Sequence, residues 1–412
     1  MIKFQLVNLL TVCLVLSACS EFAGKPKESS PVNKTAGKNF QYDVDFLMQY
    51  DSAIIVLNED DDAKVLVSPK YQAKVLTSTA EGMNGTSFGW INYKAFTAPV
   101  DAHMNGFGGE NRFWLGPEGG KFSLFFAKGK EMTFANWKTP EPFDIGAWEV
   151  TDRSNHAVTM QKNMKLVNYA GTELKLNAKR TIEILKRSRI AELLGEEIND
   201  SLNAVGYVAL NSITNTGNFT WNETTGMPCI WMLDMFTPSD ETVIVVPYKN
   251  TTDSSAKIAT TDYFGEISTD RISYQNNAVL FRADGKKRGK LGLAPARAKP
   301  FAGSYDPLSG ILTITMFDIN STGRYLNQEW NTNKPPFSGD AVNAYNDGPL
   351  ADGTQMGPFF EIESVSPAAF LAPGTNMTHS HFVFHFTGSK YSLDRISRKT
   401  LGISLAEIEA AF

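Results

Sequence analysis

The chain has 412 residues, 42% of them hydrophobic, and a formal net charge of −5. That balance excludes a nucleic-acid binder, which would need a basic face, and no run of like charge overrides it. Its three cysteines are Cys13, Cys19 and Cys229. Cys13 falls inside the leader described next and Cys19 at its end, so Cys229 is left alone. An internal disulfide is excluded, and Cys229 reads as a small core residue.

Residues 1–18 read as a lipoprotein signal peptide: Lys3, an apolar run from Phe4, then Leu16-Ser17-Ala18 before Cys19. Cleavage before Cys19 would leave that residue to carry lipid. The run is too short for a comfortable membrane-spanning helix. Residues 19–38 read as a flexible stalk, because a Ser-, Lys-, Gly- and Pro-rich segment buries too little to offset its ordering entropy. Ser20 is not the aspartate that marks inner-membrane retention, so the expected location is the cell envelope, tethered at the outer membrane.

From residue 39 to 412 the pattern predicts one large β domain. Short β-rich segments bounded by turn residues fall at Ala53–Leu57, Ala63–Val67, Phe122–Phe126 and Ala147–Thr151. They continue at Ala157–Gln161, Lys165–Tyr169, Glu173–Lys179, Thr181–Leu185 and Gly206–Asn215. Cys229–Phe236, Thr242–Val246, Lys290–Leu293, Ile311–Phe317, Gly357–Ser364 and His381–Phe386 complete the series. Asn84–Gly85, Asp284–Gly285 and Ser309–Gly310 supply turns, the second read as a hairpin with solvated charges. Helices are predicted only at Ile190–Ile198, Leu393–Leu401 and Leu405–Phe412, the last with a Ser404/Glu407 capping box. The fold class is therefore all-β, an antiparallel sandwich with short C-terminal helices.

Candidate chemistry sits in two segments. Asn105–Gly120 surrounds Arg112, Trp114 and Glu118 with glycines. A cation, an indole and a carboxylate on one bent segment suit a polyol, whose ring stacks while its hydroxyls bond the ions. Glu118 could equally pair with Arg112 as a structural bridge. Phe359–Pro367 carries Glu361 and Glu363, which share one face if the segment is a strand. His103 is the histidine best placed for a ligand, and His156 reads as an exposed turn residue. His379, His381 and His385 could bind a metal, but spacing alone assigns none, and ordinary hydrogen bonding is the expectation. Trp231 reads as core and Trp221, in a polar loop, as a sugar platform. No cofactor is implied.

The Gly-Gly-Glu-Asn-Arg-Phe-Trp-Leu-Gly-Pro-Glu-Gly-Gly string at 108–120, with Phe-Glu-Ile-Glu-Ser-Val-Ser-Pro at 360–367 and Leu-Ala-Pro-Gly at 371–374, resembles the galactose-mutarotase-like supersandwich group. Within that group it looks closest to Bacteroidetes lipoproteins of unknown function. The resemblance implies a large β supersandwich with a concave sugar cleft. By segment and order it puts Arg112 on the sugar and Glu361 or Glu363 as base. It implies a slight site role for Asp284–Arg288, and draws Lys290–Leu293 and Ser304–Asp306 in with that segment. The group's acid histidine has no counterpart, since its setting meets Ile213-Thr-Asn-Thr-Gly217. The expected partner is an unidentified carbohydrate. A non-catalytic binder is preferred, with an aldose-epimerase-like or other glycan-active enzyme as the alternative.

Overall fold

The computed structural model describes residues 39–251 and 257–412, within one unit that runs Lys38–Phe412. The leader, Cys19 and the stalk lie outside the described residues. Among the described residues, no helix is long and apolar enough to cross a membrane.

Three antiparallel sheets build the unit. The smallest holds β1 (Ile55–Asn58), β2 (Lys64–Ser68) and β3 (Lys74–Thr79), capped by α1 (Phe40–Met48). A five-stranded sheet carries the candidate residues. It comprises β4 (Arg112–Gly116), β9 (Cys229–Phe236), β13 (Gly289–Leu293), β16 (Val342–Asn346) and β17 (Phe360–Val365). Its order is β13-β16-β17-β9-β4. The ten-stranded sheet takes β5 (Glu149–Arg153), β6 (Ala157–Val167), β7 (Glu173–Ile184), β8 (Leu202–Asn215) and β10 (Val243–Pro247). It adds β11 (Ile272–Gln275), β12 (Ala278–Arg282), β14 (Phe301–Asp306), β15 (Ile311–Phe317) and β18 (Asn376–Gly388).

The main core lies between the two larger sheets, where Phe113, Ile230, Met232, Leu291 and Ile362 meet Met160, Leu176, Ile182 and Val383. Phe143 of the short α2 (Glu141–Asp144) packs on Trp114, and a second core forms where α3 (Arg187–Leu194), α4 (Lys390–Thr400) and α5 (Leu405–Glu409) cover part of the large sheet's other face. Apolar stripes at helical spacing make that possible: Ile190 with Leu194, and Leu393 with Ile396. The Ser404/Glu407 capping box is present, as predicted.

The all-β class and antiparallel sandwich are borne out, and three details change. Phe122–Phe126 is no strand. Its rings are buried, but the Ser123 hydroxyl accepts from the Phe125 amide and the chain turns after Gly119 and Gly120. The four segments predicted between 157 and 185 are two long strands, joined at a turn where Gly171 has φ +91°. Asp284–Gly285 is a crossover between sheets and not a hairpin: β12 lies in the large sheet and β13 in the five-stranded one. Asp284 is correspondingly buried on Arg271 at 2.6 Å. α1, β3, β4, β11, β12, β14 and β16 were not foreseen.

Candidate functional site

Register decides which side chains share a face, because residues along a strand alternate. Arg112 lies opposite Leu233, and Leu233 opposite Glu363. Glu363 lies opposite Asn343, and Glu361 opposite Tyr345, which faces Lys290. Trp114 lies opposite Trp231. One face of the five-stranded sheet thus presents Arg112, Trp114, Trp231, Lys290, Asn343, Tyr345, Glu361 and Glu363. The alternate positions, Asp234, Ile362 and Ser364 among them, point to the large sheet: Asp234 and Ser364 both bond His381. The charged face is therefore the one turned away from the large sheet.

Two buried ion pairs organise it. Arg112 pairs directly with Glu361. Lys290 Nζ reaches Glu363 Oε2 at 2.9 Å, and the Trp231 indole donates to the same oxygen at 2.8 Å. Each cation also lies over an indole: Arg112 over Trp114 at 4.9 Å and Lys290 over Trp231 at 4.9 Å. Glu118 stands beside this group. Trp137 Nε1 donates to it at 3.0 Å, and the Trp330 indole faces the same carboxyl without a full hydrogen bond. Tyr263 closes another side, its hydroxyl donating to Asp340 at 2.7 Å.

Burial sets the acid–base character. It pushes the Glu361 carboxyl up to about 7, against the pull of Arg112. It raises Glu118 against the influence of Lys290, and raises Asp340 to about 6. Burial opposes the charge on Lys290, yet Glu363, Glu118 and Glu361 hold its pKa above the ordinary lysine value.

Three buried polar atoms on this face have no hydrogen-bond partner among the described residues: Arg112 Nε, Trp114 Nε1 and Glu363 Oε1. Orphaned groups at this depth are costly, and two donors with an acceptor on one face fit a polar guest.

The glycines expected to admit a ligand instead admit the protein's own chain. A Cβ on Gly108, at φ +79°, would meet the Trp90 carbonyl at 2.3 Å, and one on Gly119 would meet the Glu329 carbonyl at 2.1 Å. The second contact holds the Glu329–Trp330 loop against Glu118.

Of the predicted site residues, Arg112, Trp114, Glu361 and Glu363 come together on one face, with Glu118 beside them. The alternative Arg112–Glu118 bridge does not form; Glu361 is the arginine's partner. His103 lies off the sheet. Its Nδ1 is 2.6 Å from the Trp137 carbonyl, and its ring stacks on Phe134. Trp221 is no platform: it is 0% exposed, drawn into the core despite its polar loop. His379, His381 and His385 lie between the sheets and hold no metal cluster; among the described residues none exists. His379 and His381 share the Ser364 hydroxyl, and His385 bonds Thr313 and Glu110. His156 is exposed, as read. Asn215 bonds backbone carbonyls of Phe219 and Leu371, a structural task. Asp284 and Ser304–Asp306 lie away from the charged face, Asp284 in the crossover and the others on β14 of the large sheet. Asn343 and Tyr345 were missed as site residues, and Lys290 was drawn in only with its segment. Lys290 had a signal, a lysine inside an otherwise apolar strand.

The chain belongs to a family of unknown function, DUF6786, matched over residues 38–412. No curated protein matches it. Its solved structural neighbours are galactose-mutarotase-like at low identity. One is a putative aldose 1-epimerase from Escherichia coli K12, 14% identical with TM-score 0.45, covering 82% of this chain and 99% of its own. A second is a galactose mutarotase-like protein from Lactobacillus casei, 12% identical with TM-score 0.47, covering 81% and 100%. A third is a galactose mutarotase related enzyme from Lactobacillus acidophilus, 10% identical with TM-score 0.43, covering 82% and 97%.

Proposed function

We propose that this protein is a lipid-anchored envelope protein that binds carbohydrate on the charged face of its five-stranded sheet. The observation that carries the reading is the trio of unpartnered atoms, Arg112 Nε, Trp114 Nε1 and Glu363 Oε1, set beside indoles. A sugar offers both halves of what this face lacks. Its hydroxyls accept from the guanidinium and indole and donate to the carboxylate, and its C–H face covers aromatic carbon. The lipid on Cys19 rests on the leader pattern alone.

The test is calorimetric titration of the full-length protein with neutral monosaccharides and glycan fragments. Arg112→Ala should weaken binding by about 10- to 100-fold, the range for losing a hydrogen bond to a charged group. Circular dichroism should show the fold retained. Unchanged affinity in the variant would remove Arg112 from the site.

A second reading is favoured by one observation, the Glu361 carboxyl raised to about 7. A carboxyl near neutrality can take the anomeric hydroxyl proton of an aldose as the ring opens. Glu118, whose pKa is also raised, can carry the proton to the ring oxygen. Reclosure from the other carbonyl face returns both protons and exchanges the anomers. None of the five histidines takes part: three lie between the sheets, His156 is exposed and His103 lies off the sheet. Polarimetry of freshly dissolved α-galactose and α-glucose decides it. Acceleration lost in Glu361→Gln supports the enzyme, and an uncatalysed rate with wild-type protein leaves the binder.

A further inference from the structure

We propose that the site continues outward past Glu118 into a second subsite, so that the ligand is a neutral oligosaccharide and not a single sugar. The inference rests on the carbohydrate reading above. A surface cavity of about 280 Å³ opens between the loops around Glu131 and Asn331. That is close to the small end of ligand pockets, ~300 Å³. Trp330 and Tyr169 line it together with Lys130, Glu131, Asn331 and Thr332, and most of the surface it exposes is polar.

Trp330 is the link. It faces the Glu118 carboxyl and also lines the cavity. Its ring is held by neighbours: Trp137 stacks at 6.5 Å and 23°, and Phe126 meets it edge-on at 5.2 Å and 77°. The Gly119 contact fixes the backbone behind it. The opposite wall is fixed too, because the Tyr169 hydroxyl donates to the Lys130 carbonyl at 3.0 Å. Two braced rings with hydrogen-bonding side chains around them match a pyranose, which is apolar on its C–H face and polar at its rim. Lys130 and Glu131 carry opposite charges, so the cavity selects no ionic ligand. One chain of sugars can therefore place a unit on the Arg112 face and the next against Trp330.

The test compares chain lengths. Galactose and glucose, and the linear tri- and tetrasaccharides of each, are titrated into the full-length protein. A trisaccharide should bind at least tenfold more tightly than its monosaccharide. Tyr169→Ala should remove that advantage and leave monosaccharide affinity unchanged. Thr332→Trp, at an exposed position, should fill the cavity with the same result as Tyr169→Ala. Equal affinity for monosaccharide and oligosaccharide would overturn the subsite and leave the binding reading standing. So would a length advantage that survives both Tyr169→Ala and Thr332→Trp. Failure of every sugar to bind would overturn the carbohydrate reading and the subsite together.

Discussion

Lys290 shows at residue scale how the charged face is held. Glu363 is 0% exposed, and one of its oxygens is met by Lys290 and Trp231 while the other is unpaired. Removing the lysine leaves a buried carboxylate with one indole donor. Lys290→Ala should therefore cost about 3–5 kcal/mol, the range for breaking one side of a buried pair. Adding Glu363→Gln to that variant should recover much of the loss, because the charge disappears with its partner. Urea unfolding of the two variants measures this; equal stabilities would show that the pair contributes little. His379 sets a pH dependence of the opposite kind to Glu361. Burial and the neighbouring His381 hold it down at about 3, while the unfolded chain takes its proton near 6.5. The unfolded state then binds more protons between these values, so stability from this residue is complete above 6.5 and falls as pH drops to 3. Glu361, raised to about 7, favours the folded state below its unfolded value near 4.5 and loses that contribution as pH rises to 7. His379→Gln should remove an acid-side loss that reaches about 5 kcal/mol once pH falls to 3, visible as a flatter dependence of Tm on pH below 6. An unchanged slope would show that His379 titrates normally.

At the scale of elements, legibility followed alternation. Cys229–Phe236 and Ile311–Phe317 were read to the residue because apolar and β-branched runs end there at turn residues. Glu361 and Glu363 were placed on one face for the same reason. β4 was hidden because its glycine-rich flanks read as loop, and the sequence does not say that they turn against their own chain. β16, Val342–Asn346, carries two asparagines and a tyrosine, a pattern that tertiary pairing overrides. Trp221 misled because a polar loop says nothing about which way one ring turns. That Arg112 shares a face with Glu361, 249 positions away, followed from the resemblance and not from spacing, and their ion pair was not foreseen. The loop ends matter as much as the strands. Gly119→Ala should push the Glu329–Trp330 segment away from Glu118, because its Cβ would stand 2.1 Å from a backbone carbonyl that cannot move cheaply. A loss of about 1–3 kcal/mol is expected, the usual cost of overfilling a close contact. Tryptophan fluorescence should shift with it, as Trp330 leaves its stack. Wild-type stability and emission would mean that the loop relaxes freely.

At the scale of the whole molecule, charged groups are built into the apolar interior on both faces of the five-stranded sheet: Glu110, Arg180 and Asp234 between the sheets, and Arg112, Lys290, Glu361 and Glu363 on the face turned away. The large sheet shares its inner face with one core and gives part of its outer face to α3, α4 and α5. The ionic face of the five-stranded sheet is turned away from the large sheet and shares Trp114, Trp231 and Leu233 with the first of these cores. We propose, from the pattern ending in Leu16-Ser17-Ala18-Cys19 alone, that cleavage there leaves the Cys19 thiol to carry lipid. We propose that the polar segment after it, residues 20–38, serves as the tether. Cys19→Ala should abolish incorporation of labelled palmitate and move the protein from the detergent phase to the aqueous phase in Triton X-114 partition. Sugar affinity of the protein itself should not change, because the anchor and the charged face share no residue. Labelling that persists in Cys19→Ala would overturn the anchor, and retained detergent partition without label would transfer the membrane attachment to the apolar run itself.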